Sequence, residues 1–308
     1  MLDVLLYTLV FALVSLVAGN NLSSCTGSLI SSRITSSRKG IAIAVLGYIL
    51  GLLLQGNLIK AGIYRISPIA ADFVAIPLFV ALVIFVIAHR LRVPQSLSIT
   101  LAMAMLGIDF AVFKSVDLGY AAFVIGFWMA AAVVSLLLTI ALMRLSRKIV
   151  YMREIWPTLS MIKIMLVIVS FLTAFTLGAN TIGFIFASVS GILSSAYLMF
   201  VTIIGIIFGS FFLSKGELNR LGSEILPLRY LNALITQVIS VLLVEAATYS
   251  SVPLSNAQTY TSSLYGAGLS YRTRLILRKP GMVIAFTWIG SAIVSFGFSL
   301  LLAVLIYR

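Results

Sequence analysis

The hydropathy of this chain sets the strictest limit on its fold, because long apolar runs recur from one end to the other. Of its 308 residues, 61% are hydrophobic and only 9% are charged, whereas an ordinary globular domain carries about 25% charged residues. So few charges cannot cover a water-soluble surface. The sequence therefore predicts an all-α polytopic membrane protein in which the apolar runs are transmembrane helices.

Ten apolar runs are long enough, or nearly long enough, to cross a bilayer, which takes about 20 residues. The first lacks the basic residues and cleavage site of a signal peptide, so we expect it to be a retained span. Two others, 94–113 and 253–270, are marginal and could either span the membrane or re-enter it. The ten runs are 2–18, 40–56, 69–88, 94–113, 119–143, 160–177, 191–213, 230–249, 253–270 and 281–307.

The basic residues predict how these segments are oriented. With the N-terminus outside, 17 of the 21 Lys and Arg fall at inner connections, and only four, Lys60, Arg65, Lys114 and Arg308, fall outside. Cytoplasmic loops of membrane proteins carry this excess. We therefore expect a multi-pass protein of the cell membrane, with both termini outside and a basic connector, 144–158, in the cytoplasm. The same pattern explains the net charge of +13, so no nucleic-acid partner is expected.

A faint repeat divides the chain. The sequence Ala-Gly-Asn at 18–20 returns as Gly-Ala-Asn at 178–180, an offset of 160, and V-P-Q-S at 93–96 returns as V-P-L-S at 252–255, an offset of 159. Two repeats of five segments must be inverted relative to each other, because five is odd. Inverted repeats with interrupted helices are typical of secondary transporters, which bind substrate where the repeats meet. The predicted repeats are 1–143 and 159–308.

The repeated motifs place polar residues at membrane depth. Gly19 and Asn20 are expected to end a helix, and Pro suits the first turn of a new one. Four half-helix N-termini would then lie at the centre, and their free N–H groups attract anions. Alternatively, small polar residues are common where membrane helices pack closely. The predicted anion ligands are Asn20, Ser24, Thr26, Ser96, Ser98, Asn180, Ser255, Asn256 and Gln258.

These motifs resemble those of the inorganic phosphate transporter (PiT) family of sodium- or proton-coupled symporters. That family carries G-A-N-D-V-A-N-S-x-G-T-S-V-G twice and P-[VI]-S-T-T-H twice, and the ranges 18–31, 178–190, 94–99 and 253–258 fall on these motifs. Residues 47–63 and 218–228 resemble two further family stretches. The resemblance implies cation-coupled symport of phosphate by alternating access, with no cofactor besides the coupling ion and no enzymatic activity. A homodimer is compatible with it.

The chain departs from the family where the coupling ion is expected. Asn21 and Thr181 replace the motif aspartates, and they can ligate sodium only through neutral oxygen. The family's histidines are Ile99 and Gln258 here, and a family glutamate is Gln237. Glu245 lies eight residues before Pro253, about 12 Å along a helix, and an acid at such depth is a functional candidate. The candidates for handling sodium or a proton are Asn21, Thr181 and Glu245.

Two alternatives remain at this stage. Some relatives carry sulfate, so sulfate or another oxyanion could replace phosphate as the substrate. A non-transporting membrane scaffold derived from a transporter is the alternative from a different class. The sequence shows no zinc constellation, no G-x-x-x-x-G-K-[ST] loop and no nucleophile–base pair. No enzymatic activity is therefore predicted. No resident metal is predicted either, although sodium could bind at Asn21 and Thr181 as the coupling ion.

Overall fold

A computed structural model describes residues 1–67, 73–91, 95–113, 117–150, 155–214, 230–270 and 278–307. Every regular element in these ranges is helical, as the apolar runs predict. Three predicted features lie outside them: Val93-Pro94, the stretch 218–228 and connector residues 151–154. The helices are α1 Leu2–Ser31, α2 Ser37–Gln55, α3 Lys60–Ile66, α4 Ala75–Leu91, α5 Leu97–Ile108, α6 Leu118–Val150, α7 Ile155–Leu177, α8 Gly183–Val189, α9 Ser195–Phe208, α10 Tyr230–Tyr249, α11 Asn256–Ser270 and α12 Arg278–Tyr307.

Seven of these helical stretches are long and apolar enough to cross a membrane, which confirms the predicted class of multi-pass membrane protein. Large apolar side chains are exposed along them, for example Leu137 on α6, Phe200 on α9 and Ile293 on α12, as expected of a surface that faces lipid. The seven are Leu2–Ser31, Ser37–Gln55, Leu118–Ser146, Leu159–Val189, Ser195–Leu213, Tyr230–Tyr249 and Phe286–Tyr307.

The other three predicted segments form shorter helices. α4 has 17 residues, α5 has 12 and α11 has 15. At 1.5 Å per residue α11 is about 22 Å long, which is less than the roughly 30 Å of a bilayer core. A helix of this length needs other elements to complete a crossing, so α5 and α11 fit the interrupted segments that the sequence predicts.

The predicted break at Gly19 and Asn20 is wrong. α1 runs without interruption from Leu2 to Ser31, because the small polar residues of the motif bond to their own helix. Ser24 Oγ donates to Asn21 O (2.8 Å), and Cys25 Sγ and Thr26 Oγ1 donate to carbonyls four residues back. The hydroxyls thus add bonds to the helix instead of ending it.

The predicted break at Asn180 is wrong as well, although the backbone is locally altered there. Gly178–Ile182 forms a wide π-helical turn, π2, which joins α7 to α8. Similar turns extend α5 (π1, Asp109–Phe113) and α9 (π3, Gly209–Leu213). Such π turns are frequent at functional sites. Of the four predicted half-helix starts, only two are helix starts among the described residues: those of α5 and α11.

The principal contacts between helices come in equivalent pairs: each contact has a second contact in which helices of the first half are replaced by the corresponding helices of the second half, and the reverse. α1 packs on α9 and α2 packs on α7; α5 packs on α12 and α11 packs on α6; α1 packs on α4 and α7 packs on α10. The opposite orientation of the halves in the membrane stays a prediction.

Two of these paired contacts depend on glycines that let helix backbones touch. A Cβ on Gly51 of α2 would lie 1.9 Å from Phe175 O of α7, and one on Gly209 of π3 would lie 2.0 Å from Ser15 O of α1. Both glycines end a G-x-x-x-G sequence, at 47–51 and 205–209. Small residues at this spacing allow close approach of membrane helices, so the α2–α7 and α1–α9 contacts use the same device.

Candidate functional site

The candidate site is built around the unwound peptide that leads into α11. α10 ends at Tyr249, and Ser251 has a left-handed φ of 56°. The chain turns there, with Val252 N–H donating to Ala247 O at 2.8 Å. α11 then begins at Asn256. The peptide 250–255 is called the entry segment below.

The peptide groups of the entry segment are held by side chains from both halves. From α6, Tyr120 OH donates to Ser251 O (3.2 Å) and Trp128 Nε1 donates to Pro253 O (2.6 Å). From π2, Asn180 Nδ2 donates to Val252 O (3.1 Å), and Asn180 Oδ1 accepts from Leu254 N–H (2.9 Å). Irregular peptide at membrane depth needs such partners. Side chains of α6 and π2 therefore hold the non-helical backbone of the entry segment in place.

Asn180 is a positioning residue in this arrangement. Its Oδ1 is identified by the Leu254 N–H that it accepts. Both amide hydrogens are used, one on Val252 O and one on Thr248 Oγ1 at 3.0 Å. An asparagine amide carries only two hydrogens. Asn180 was predicted to bind the anion directly, but here it has no donor left for one.

A polar network joins α11 to α1 and α10. Asn256 Nδ2 donates to Ser24 Oγ on α1 (3.0 Å), and Asn256 Oδ1 accepts from Ser240 Oγ on α10 (2.7 Å). Ser240 and Thr259 hydroxyls are 2.6 Å apart. The Ser24 proton goes to Asn21 O. Ser24 and Asn256 therefore connect the first predicted motif to the last.

Gln237 of α10 is a second bridge to α1. Its Nε2 lies 3.2 Å from Ser24 O, 2.9 Å from Cys25 O and 3.1 Å from Ser28 Oγ, and its Oε1 accepts from Ser170 Oγ of α7 at 3.2 Å. The side chain is fully buried. The amide is thus matched on both sides, with its donors facing oxygens and its acceptor facing a hydroxyl.

A different set of polar atoms is buried without a hydrogen-bond partner among the described residues. Four of these ten atoms lie at the start of α5, in π2 and in the first turn of α11, and the other six lie elsewhere in the fold. Buried polar groups are nearly always paired, so an unpaired set near two helix starts marks these atoms as candidates for binding a ligand or water. The four atoms are Gln95 Oε1, Ser98 Oγ, Thr181 Oγ1 and Gln258 Oε1.

The start of α5 has the geometry of an anion-binding helix end. Ser96 caps the helix by accepting from Ile99 N–H at 3.3 Å. The N–H groups of the first helical residues, Leu97 and Ser98, have no partner within a helix, and they carry partial positive charge. The Ser98 hydroxyl is fully buried beside them. At α11, Ser255 Oγ accepts from Gln258 N–H (3.4 Å) in the same way.

The structure brings some of the predicted ligands together and leaves others apart. Ser24, Asn256 and Gln258 belong to α1 and α11, which are in contact, and Asn180 holds the entry segment beside them. No hydrogen bond among the described residues joins Ser96 or Ser98 to this network. Leu97 and Ile99, in the first turn of α5, nevertheless belong to the same apolar cluster as Leu22 of α1 and Leu254 of the entry segment.

The remaining predicted ligands of α1 differ in availability. The Thr26 hydroxyl is used on Leu22 O. Asn20 is half-buried and Asn21 is 9% exposed, and neither side chain has a hydrogen bond among the described residues. These two amides therefore remain free to reach a ligand, although no helix ends beside them.

Comparison with known proteins decides the family. Residues 17–299 match the model of the phosphate transporter family. The chain belongs to the phosphate transporter family. A Methanocaldococcus jannaschii protein named as a candidate phosphate permease is 23% identical over 291 residues, covering 92% of this chain and 91% of that protein. A solved sodium-dependent phosphate transporter has a TM-score of 0.84, with 14% identity and 99% of both chains covered. That likeness shows the shared fold.

Membership in the phosphate transporter family confirms the resemblance and the expectation that the chain is a transporter and not an enzyme. Among the described residues, no group of three or more His, Cys, Asp or Glu could hold a metal ion. Asn21 and Thr181 themselves offer only neutral oxygens.

Glu245 is the acidic residue that this family member carries nearest to the entry segment. Because α10 ends at Tyr249, the helix continues only four residues beyond Glu245, about 6 Å, and does not run on to Pro253. Its Oε1 accepts from Gln55 Nε2 of α2 at 2.6 Å. Its Oε2 and Gln55 Oε1 are both buried without a partner among the described residues.

Several residues of the site were missed by the sequence analysis. Gln95 lies inside the V-P-Q-S motif but was not chosen as a ligand, and Tyr120 and Trp128 hold no motif position. Ser240 and Thr248 are hydroxyls in a largely apolar helix. One signal could have found Trp128: Trp288 follows it by 160 residues, the offset that relates the two Asn motifs. The other residues could be identified only from their hydrogen-bond partners in the folded structure.

Proposed function

We propose that this chain carries inorganic phosphate across the membrane by alternating access. The observation that supports this most strongly is the set of buried, unpaired polar atoms at the starts of α5 and α11, two short helices within a membrane fold. Helix N-termini with neutral hydroxyls bind oxyanions without a fixed cation. Such a site can release a doubly charged anion more readily than one built from Lys or Arg.

The proposed ligands follow from which groups the protein leaves unpaired. Ser98, Thr181, Asn20 and Asn21 supply free donors, and Ser96 and Ser255 cap the two helices whose N–H groups face the site. Ser24, Asn180 and Asn256 act by holding α1, π2, the entry segment and α11 in position. The proposed role of Thr26 is likewise to stabilise α1.

Alternating access needs two units that move against each other around the site. The exchange of helix contacts between halves supports two repeated units, 1–143 and 159–308, inserted in opposite orientations. The contacts that join the units at the site are made by few polar side chains. A rearrangement of the Asn256–Ser24 and Trp128–Pro253 contacts would open a path on one side.

Coupling to a cation is proposed at two places. Glu245 and Gln55 suit a proton, because a protonated carboxyl and an amide can share two hydrogen bonds, one from Gln55 Nε2 to Glu245 Oε1 and one from Glu245 Oε2 to Gln55 Oε1. The second bond would pair the two oxygens that are otherwise unpaired. Asn21 and Thr181 could hold sodium through their side-chain oxygens, at the positions of the family's aspartates.

Uptake of labelled phosphate into proteoliposomes tests the function. We expect uptake driven by an imposed proton or sodium gradient, and we expect phosphate to raise the Tm of the purified protein by mass action. Ser98→Ala should weaken phosphate binding about tenfold, since it removes a buried donor. Ser188→Ala is the matched control, because that buried hydroxyl donates to Ile185 O of its own helix.

Absence of both uptake and phosphate-dependent stabilisation in the wild type would contradict the proposal and favour a non-transporting scaffold. Equal effects of Ser98→Ala and Ser188→Ala would leave transport standing but remove the start of α5 from the site.

A further inference from the structure

The orientation of the Gln95 amide is set by its neighbour. Gln95 Nε2 donates to Thr100 Oγ1 at 2.6 Å, and Thr100 Oγ1 donates to Ser96 O at 2.8 Å. Because the Thr100 proton is already used, the group that faces Thr100 must be a donor. With the amide reversed, Thr100 would have to give up its bond to Ser96 O. The carbonyl oxygen of Gln95 therefore points away from Thr100.

That carbonyl oxygen is an unusual group to find at the start of α5. Gln95 is 3% exposed and Ser98 is 0% exposed, and Gln95 Oε1 and Ser98 Oγ are both buried without a partner among the described residues. A hydroxyl can donate, but an amide oxygen can only accept. The first turn of α5 thus presents free donors and, next to them, a pure acceptor. Gln258 Oε1 is a second buried acceptor, in the first turn of α11.

An acceptor of this kind is unfavourable beside an anion that has no proton. Sulfate carries none near neutral pH, so each of its oxygens would repel the Gln95 carbonyl oxygen. Phosphate keeps at least one P–OH group under the same conditions, and that group can donate. A site with one fixed acceptor therefore favours a protonated oxyanion over a fully deprotonated one of the same size.

We infer that Gln95 Oε1 accepts a hydrogen bond from the P–OH group of the bound phosphate and thereby discriminates phosphate from sulfate. The inference rests on the proposed function and adds a specificity-determining residue to it. Sites that hydrogen-bond a substrate hydroxyl reject analogues that lack it strongly, because the polar group of the site is then left buried and unpaired. Sulfate should accordingly bind about ten- to a hundredfold more weakly than phosphate.

Competition in the wild type tests the inference without any variant. Proteoliposomes take up labelled phosphate in the presence of sulfate or of fluorophosphate, a tetrahedral dianion in which fluorine replaces the hydroxyl of HPO4²⁻. Both competitors should inhibit about ten- to a hundredfold more weakly than unlabelled phosphate. Fluorophosphate that competes as well as phosphate would overturn the inference, because its charge and shape match phosphate and only the proton is missing.

Gln95→Met provides the second test. It keeps the length of the side chain and removes the acceptor, so the preference for phosphate over both competitors should narrow to within about threefold. Ile99→Val, an apolar change in the same turn, should leave the preference as in the wild type. An unchanged preference in Gln95→Met would overturn the inference while leaving phosphate transport in place. Absence of phosphate uptake in the wild type would overturn both this inference and the proposed function.

Discussion

At the scale of single residues, the buried amides decide which groups are left for a ligand. Asn180, Asn256 and Gln237 each use both sides of the amide on protein partners. An amide satisfies a donor and an acceptor at once through two different atoms. These residues hold the helices together at the centre. The hydroxyls of Ser98 and Thr181 are buried without a partner among the described residues, which is why the proposal assigns them to the substrate.

Gln237→Glu should destabilise the protein in a pH-dependent manner. The new carboxylate oxygen would lie where Nε2 now faces Ser24 O and Cys25 O, so the charged form is unfavourable and stability should fall as pH rises. A buried charge without a partner costs about 3–5 kcal/mol. Tm measured in detergent across pH, with and without sodium, checks this, and acid or sodium should restore part of the loss.

Gln237→Met is the matched comparison, because it also leaves the two carbonyls without a donor but adds no charge. Its Tm should fall at every pH, and neither acid nor sodium should restore it. A Gln237→Glu protein whose Tm is independent of pH would contradict the assigned contacts.

Glu245→Gln should remove the pH dependence of phosphate uptake if the proton is carried there. The amide keeps the shape of the protonated acid but cannot release a proton, so uptake should lose its response to an imposed pH gradient. Asp117→Asn is the control, since that acid pairs with Arg65 at an exposed position, 3.9 Å apart. A sodium requirement that is unchanged in Glu245→Gln, together with an unchanged pH response, would exclude Glu245 from coupling.

At the scale of elements, the two interrupted segments obtain their shape from what surrounds them. The entry segment has a left-handed residue and three carbonyls that no helix satisfies, yet each carbonyl meets a donor from α6 or π2. The close α2–α7 contact positions π2, and so Asn180, against this segment. The glycine-mediated packing of α2 on α7 therefore helps to set the position of Asn180 against the entry segment.

Gly51→Ala should destabilise the α2–α7 contact. A Cβ at Gly51 would overlap Phe175 O, 1.9 Å away, so the helices must separate, and overpacking of this kind costs about 1–3 kcal/mol. Phosphate uptake should fall as well, because π2 would move with α7. Thermal unfolding in detergent and uptake assays measure the two effects.

Gly126→Ala is the control for that change. Nothing lies within 4 Å of a Cβ at Gly126, and alanine favours a helix over glycine by about 1 kcal/mol. The protein should be as stable as the wild type or slightly more so. A similar loss in both variants would show that the close approach at Gly51 is not the cause.

At the scale of the whole molecule, the exchange of helix contacts describes two similar halves that share one core. The main apolar cluster contains residues of both halves, among them Leu13, Tyr48, Phe184 and Leu254. Neither half buries its apolar surface alone. Equivalent contacts in the two halves are compatible with the alternating access proposed above.

Labelling from one side of the membrane tests the predicted orientation. Cys25 is fully buried and is the single cysteine of the chain, so labelling by a maleimide would report on an introduced cysteine alone. Asn57→Cys should react with an impermeant maleimide added outside intact cells, and Ser37→Cys should react only after permeabilisation. The reverse pattern would mean that both termini face the cytoplasm.

The sequence alone predicted the class of fold, the family and the order of the segments. Hydropathy predicts the class of fold because a bilayer demands long apolar runs whatever their neighbours are. The motifs predict the family because they match its motifs and recur at offsets of 160 and 159 residues. Each apolar run and each motif can be recognised within a short stretch of chain. The starts of α5 and α11 were predicted for the same reason, since Pro and a capping Ser act within one turn.

The tertiary structure decided which polar groups remain available. In sequence the hydroxyls of Ser24, Thr26 and Ser98 are equivalent, but two donate to their own helix and the third is left unpaired. The pairing of Glu245 with Gln55 and the bond from Trp128 to the entry segment depend on helices distant in the chain. A hydrogen bond is made with whatever lies opposite, and only the packed fold determines what that is.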